Sequence, residues 1–369
     1  MFRNKALPTG LIEATRLTQA GRLVEATALI QRTLQDSRSP LEDDDHRAPG
    51  DAGHSRGHAI DGEFSEVEEP THAPIEHAQA GQFLAGSYAN QVGTRAYKLY
   101  IPKGYTGQPL PLVVMLHGCK QTADDFAAGT GMNAIAEERQ CLVLYPEQTH
   151  GANHSRCWNW FKRGDQRRDR GEPAVLAGMT QEIMNRYGSD RGKVYVAGLS
   201  AGGAMAAVMA AAYPDLYAAV GIHSGLACGS AHDLSSALSA MRGTPASFSS
   251  RGGSETALAP ARPTIVFHGD RDKTVHPRNG QDVVSQSIEQ DRRLSAGAST
   301  ERGEVPGGHA YTRTVYVDST GRAVLEHWLV HGGGHAWFGG SPRGSYVDPK
   351  GPDAAREMLR FFYQSAPAA

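Results

Sequence analysis

"KVYVAGLSAGGAMAAVMAAAY" (193–213) sets one serine, Ser200, between an apolar run and a helix-forming one. Residues 193–199 are apolar with almost no alternation, the pattern of a strand buried on both faces. Residues 201–213 are rich in Ala and Met and read as a helix. Between them "GLSAG" (198–202) satisfies G-x-S-x-G, and a strand-to-helix turn is the context that motif requires. A Cβ two residues before or after the serine would crowd so sharp a turn, and Gly198 and Gly202 avoid it. The turn lifts the hydroxyl above the C-terminal edge of a sheet and brings the positive end of a helix close to it. A helix N-cap serine in a glycine-rich turn is the plainer reading. The strand before Ser200 and the partners downstream weigh for a nucleophile.

Outward from this stretch the chain alternates strand-like and helix-like segments. Strands are expected at 94–102, 111–118, 141–146, 193–199, 218–225 and 263–269, and helices at 123–138, 172–188, 201–213, 280–291 and 353–363. Residues 311–317 and 324–330 pair as a hairpin-like unit around "DSTG". Apolar strands separated by helices imply an α/β fold with a mostly parallel sheet covered on both faces.

A nucleophilic serine needs a base, and the base needs an orienting acid, here expected in the chain order Ser, Asp or Glu, His. "VFHGDRDKTVHP" (266–277) offers Asp270 and Asp272 just past a strand end. Asp270 follows the strand almost at once, where an acid ties the turn, so placement favours Asp272. "HGGGHAWFGG" (331–340) offers two histidines. His331 ends a strand, whereas three glycines let the chain fold back with His335 at the loop's tip, so His335 is favoured. His309 and His327 read as structural. The oxyanion hole should join the Ala201 amide with the Cys119 amide from the loop "LHGCKQTADDF" (116–126).

Six stretches taken together carry a resemblance: "LHGCKQTADDF", "YPEQ" (145–148), "CWNWF" (157–161), "GLSAGGAMA" (198–206), "HGDRDKTVHP" (268–277) and "GGGHAWFGG" (332–340). They span nearly all of residues 94–340, and the chain resembles the polyhydroxybutyrate depolymerase family of α/β-hydrolase esterases. It is similar as well to feruloyl and acetyl-xylan esterases. The resemblance implies an α/β-hydrolase fold and a serine esterase with Ser200, Asp272 and His335 as its triad. It implies poly- or oligo-(3-hydroxybutyrate)-type esters as substrate, with feruloyl or acetyl-xylan esters as the alternative. Trp158, Trp160 and Trp337 lie in the matching stretches and are candidates for an apolar wall of the substrate site; core anchoring is the other reading. Cys119 and Cys157 are a candidate disulfide pair, and the want of a secretion signal inclines the reading against it. Cys141 and Cys228 read as small buried residues.

Composition bounds the rest. The chain has 369 residues, 21% of them charged, and a net charge of -2, which gives no reason to expect nucleic acid as a partner. No run reaches the ~18–20 apolar residues of a membrane span. Residues 11–35 read as helix broken at Gly21 and resemble one helical hairpin of the tetratricopeptide kind. A single copy cannot bury its own apolar face, so docking on the main domain, self-association, or granule or partner docking is expected of residues 11–35. Residues 41–80 hold eleven Asp or Glu and few large aliphatics, the composition of a disordered linker. The five histidines there (His46, His54, His58, His72, His77) fit no compact metal-ligand spacing. The expected organisation is therefore a helical segment (1–40), an acidic linker (41–81) and a catalytic domain (82–369). Two-step acyl transfer needs no metal or organic cofactor. The N-terminus shows no apolar signal core, and no added binding domain is visible after residue 363, so soluble or intracellular esters and a cytoplasmic setting are expected. An acyltransferase or peptidase on the same scaffold, and an inactive hydrolase used as a binding module, are the rival readings.

Overall fold

Each non-alternating apolar run becomes an interior strand, because a strand covered by helices on both faces has no solvent side on which to place polar residues. The computed structural model describes residues 81–244, 262–291 and 294–365. The helical segment expected at 1–40 lies outside these residues, as does the linker expected at 41–81 apart from Gly81.

Ten strands form the main sheet of the described residues: β1 (Gln82–Asn90), β2 (Gly93–Ile101), β3 (Leu112–Leu116), β4 (Leu142–Pro146), β5 (Val194–Leu199), β6 (Ala219–His223), β7 (Thr264–Gly269), β8 (Leu294–Glu304), β9 (Ala310–Asp318) and β10 (Ala323–Val330). Their order is β1-β2-β4-β3-β5-β6-β7-β10-β9-β8. From β4 to β10 every pairing is parallel, while β1, β2, β8 and β9 extend the two edges antiparallel. Every residue of β3 to β7 is buried. Seven α-helices among the described residues accompany them: α1 (Ala123–Thr130), α2 (Met132–Arg139), α3 (Gly171–Tyr187), α4 (Ala201–Ala212), α5 (Leu234–Met241), α6 (Arg278–Gln290) and α7 (Ala354–Ser365). The large, mostly parallel sheet with helices on both faces is the α/β-hydrolase fold.

Alternate residues of each central strand feed two cores. Leu112, Val114 and Leu116 pack with Leu176 and Met179 of α3, Met205 of α4 and Val283 of α6. Val113 and Met115 pack on the other face with Phe126 of α1, Ile135 of α2 and Phe361 and Phe362 of α7. The helix expected over 123–138 divides because Gly131 adopts φ 65°, caps α1 through its N–H to the Ala127 carbonyl, and starts α2 in a new direction.

Among the longer described elements, three went unread in the sequence. β1 and β8 are edge strands with much of their length in solvent, so neither needs the hydrophobic pattern that marks a strand. α5 is short and buries only Ala237 and Ala240, its start fixed by a capping box at Asp233.

Candidate active site

β5, β6, β7 and β10 are consecutive parallel neighbours, so their C-terminal ends open on one edge of the sheet. Ser200 follows β5, Asp272 follows β7 by three residues and His335 follows β10 by five. The topology thus brings all three to that edge from segments far apart in the chain.

Ser200 sits at φ 57°, ψ -118°, between the last residue of β5 and the first of α4. Such a backbone is strained for any residue with a Cβ and is held by its surroundings. The Ser200 N–H donates to the His223 carbonyl at 2.9 Å. A Cβ on Gly202 would lie 2.0 Å from the Leu116 carbonyl oxygen, and one on Gly198 would lie 2.4 Å from Gly202 backbone atoms. The first turn of α4 therefore rests directly on the end of β3, which no other residue would permit.

Asp272 has a side chain with no solvent exposure. Its Oδ2 is 2.7 Å from His335 Nδ1, and its Oδ1 accepts from the Thr274 and Val275 amides at 2.8 Å each. A carboxylate can only accept here, so the shared hydrogen belongs to Nδ1, and His335 Nε2 is left as a proton acceptor. Burial alone would raise this carboxyl. His268 and His335 beside it, with the Val275 amide, outweigh it and hold the group well below the usual carboxylate range. Asp270 makes a separate, more exposed pair: Oδ2 with His331 Nδ1 at 3.0 Å, and Oδ1 accepting from the Gly332 amide at 2.7 Å. Asp270 ties the glycine loop and Asp272 holds the histidine at its tip. The loop folds back as its glycines suggest, with the Arg271 amide donating to the Gly333 carbonyl at 3.0 Å.

The loop after β3 is fixed from four directions. His117 donates through Nδ1 to the Gly118 carbonyl at 2.7 Å and accepts the Gln148 amide at Nε2, 3.0 Å. Gln121 accepts the Gly118 amide at 2.9 Å. The Lys120 amide donates to the Ser155 carbonyl, and Cys119 is disulfide-bonded to Cys157. The pair that the sequence reading leaned against is therefore bonded. Neither the Cys119 nor the Ala201 amide donates to a protein acceptor among the described residues. Both lie where β3 and β5 end side by side, Leu116 opposite Gly198.

The three tryptophans call for a correction. Trp158 and Trp337 are fully buried and Trp160 is 5% exposed, so none offers a free wall to a ligand. Trp158 packs against the His117 ring, and Trp337 stacks on His223 with centroids 4.9 Å apart. Their apolar area is spent on supporting these histidines, which is the core-anchoring alternative. His309 binds Asp348 at 2.8 Å and His327 is half-buried on β10.

Sequence reasoning missed His117, His223 and His268. His223 accepts the Phe338 amide at Nε2, 3.0 Å, and burial, with His268 and His335 close by, pushes its imidazole well below the ordinary value. Also missed was Glu172, which is buried and takes donors from Gln148 and from the backbone and side chain of Asn159. Polar residues embedded in "YPEQ" and "CWNWF" were the available signal. Among the described residues, no three His, Cys, Asp or Glu are grouped to hold a metal ion. No described helix is long and apolar enough to cross a membrane.

Comparison with known proteins adds the following. The family model for "Esterase PHB depolymerase" matches residues 95–307. Poly(3-hydroxyalkanoate) depolymerase C of Paucimonas lemoignei is 33% identical over 261 residues, which cover 68% of this chain and 58% of that protein. Probable acetylxylan esterase A of Neosartorya fischeri is 30% identical over 213 residues, covering 54% of this chain and 56% of that protein. The chain thus spans somewhat over half the length of these relatives. Among solved structures, the acetyl xylan esterase from Aspergillus awamori superposes with a TM-score of 0.56 at 20% identity, covering 73% of this chain and 94% of that one.

Proposed function

Because the chain belongs to the esterase PHB depolymerase family, we propose that it is a serine esterase that cleaves carboxylic esters through an acyl-enzyme. The observation that carries this reading is the Asp272–His335 hydrogen bond at the sheet edge where the strained Ser200 turn also lies. Ser200 Oγ attacks the ester carbonyl while His335 Nε2 takes its proton. Asp272 fixes the imidazole tautomer and stabilises the imidazolium that forms. The Cys119 and Ala201 amides receive the oxyanion, each such donor being worth ~3 kcal/mol in the transition state. His335 then protonates the leaving alcohol, and water, activated by the same histidine, clears the acyl group.

Poly- or oligo-(3-hydroxybutyrate)-type esters are the substrate class supported by the family and by the Paucimonas relative. Acetylated or feruloylated sugars are the second reading, supported by the acetylxylan esterase relative. Residues 82–369 would form the catalytic domain. The Cys119–Cys157 bond supports a working environment that does not reduce it, a reading that departs from the cytoplasmic expectation.

Release of 3-hydroxybutyrate from a soluble trimer and from amorphous granules tests the proposal, with Ser200→Ala as the blank. Release from both indicates a depolymerase, and release from the trimer alone an oligomer hydrolase. Release from neither sends the assignment to acetyl and feruloyl sugar esters.

A further inference from the structure

Resting on the reading that Asp272 and His335 serve Ser200, we propose that His268 is a positioning residue that holds the acid of the triad in register through its Nε2–H. His268 is the penultimate residue of β7, and its side chain has no solvent exposure. Nε2 lies 2.9 Å from the Val275 carbonyl oxygen and 3.5 Å from Asp272 Oδ2. Both neighbours are acceptors, so Nε2 carries the hydrogen; it is bonded to the carbonyl and its positive edge faces the carboxylate oxygen.

The consequence is a closed circuit. The Val275 amide binds Asp272 Oδ1, the Val275 carbonyl binds His268, and His268 returns to Oδ2. Oδ2 is also the oxygen that receives His335 Nδ1 at 2.7 Å. The carboxylate is thereby held at Oδ1 by the Thr274 and Val275 amides and at Oδ2 by His335, with His268 beside the same oxygen.

The far nitrogen of His268 has a different environment. Nδ1 is buried and has no hydrogen-bond partner among the described residues. It abuts Gly280 of α6, where an added Cβ would lie 2.9 Å from Nδ1. A second proton on the ring would find no acceptor, so the packing specifies one tautomer. The titratable groups facing this pair are His335 from the loop after β10, His223 from the end of β6 and His327 on β10. A purely space-filling residue at 268 would need neither the donor nor the glycine opposite.

The test uses the full chain with three variants. His268→Leu removes the donor, His268→Gln keeps an N–H at the end of the side chain, and Gly280→Ala pushes on the ring from behind. The readouts are the rate and pH dependence of Ser200 labelling by a fluorophosphonate, and the split between kcat and KM on a short-chain p-nitrophenyl ester. His268→Leu should slow labelling about 10-fold, the range for losing a buried hydrogen bond that fixes the Val275 backbone and, through it, the carboxylate. The loss should fall on kcat with KM unchanged, and the acid limb of the labelling profile should move. His268→Gln should restore most of the rate and the profile, and Gly280→Ala should fall between them.

A Leu variant that labels at the wild-type rate, or a Gln variant as slow as Leu, overturns the proposal. Should Leu not fold, the other two decide: slowed labelling in Gly280→Ala with near-wild-type labelling in Gln supports it, and any other pattern overturns it. If wild type is not labelled, or His335→Ala labels equally fast, the triad reading fails and takes this inference with it. Wild-type labelling that depends on His335 but is indifferent to residue 268 overturns this inference alone.

Discussion

Replacing Ser200 by Gly should abolish activity and stabilise the protein relative to Ser200→Ala. Both variants lose Oγ, so their difference isolates the Cβ at φ 57°, ψ -118°. Holding a residue with a Cβ in such a region costs about 1–3 kcal/mol, which glycine does not incur. Glycine also makes the unfolded chain freer, which removes about 0.4–1 kcal/mol of the gain. The net is about 1 kcal/mol in favour of Gly, or about 2 °C in Tm for a domain of this size. Parallel urea and thermal melts of the two inactive variants read this directly. If Ser200→Ala is the more stable of the two, the turn is not strained in the way the dihedrals imply, and strain is not stored at Ser200.

Further expectations follow from the geometry around this turn. Asp272→Asn should lower kcat ~10³- to 10⁴-fold, because it removes the charge behind His335, while Asp270→Asn, which loosens only the loop anchor, should cost no more than about tenfold; equal losses in steady-state kinetics would mean the two acid–histidine pairs have been assigned wrongly. Burial pushes His117 and His223 down and His327 from 6.5 to about 4, so the unfolded chain takes up these protons first. Stability is then fully present above about pH 6.5 and declines as the pH falls toward the folded values, His327 alone accounting for at most about 3 kcal/mol by pH 4 at ~1.4 kcal/mol per unit. A urea midpoint that stays level from pH 8 to 5 would contradict this. Of the four cysteines, Cys141 and Cys228 are free, so the denatured, unreduced chain should titrate two thiols and the reduced chain four; four thiols without reductant would show that Cys119 and Cys157 are not bonded.

Much of the candidate site was legible because its signals are local. Ser200 could be read from a strand, a turn and a helix contiguous in sequence, and Asp272 and His335 from loops that follow strands in a fixed chain order. The central strands were legible because burial on both faces leaves an unbroken apolar run. The supporting histidines were not, since their partners are remote: His117 meets a residue 31 positions away and His223 one 115 positions away. Nothing about a histidine at the end of an apolar strand says which amide it will accept. The tryptophans misled for the opposite reason. Nearness in sequence to a site residue says little about which way a side chain points, and Trp337, two residues past His335, turns into the core. Edge strands β1 and β8 escaped because a strand wet on its faces carries no periodic signature.

One consequence concerns how this site can be lost. Three crossings at the sheet edge are made main chain to main chain: α4 on β3 at Gly202, β5 on the first turn of α4 at Gly198, and the histidine loop over β7 at Gly269, where a Cβ would meet the Gly333 carbonyl at 2.3 Å. With no side chain between these segments, none can slacken by a rotamer change. The edge that carries Ser200, Asp272 and His335 has no looser intermediate arrangement of its own, so inactivation by heat or denaturant should run together with global unfolding rather than ahead of it. New specificity, by the same logic, has to be built on loops that hang from this edge, because the edge itself has no spare volume in which to change.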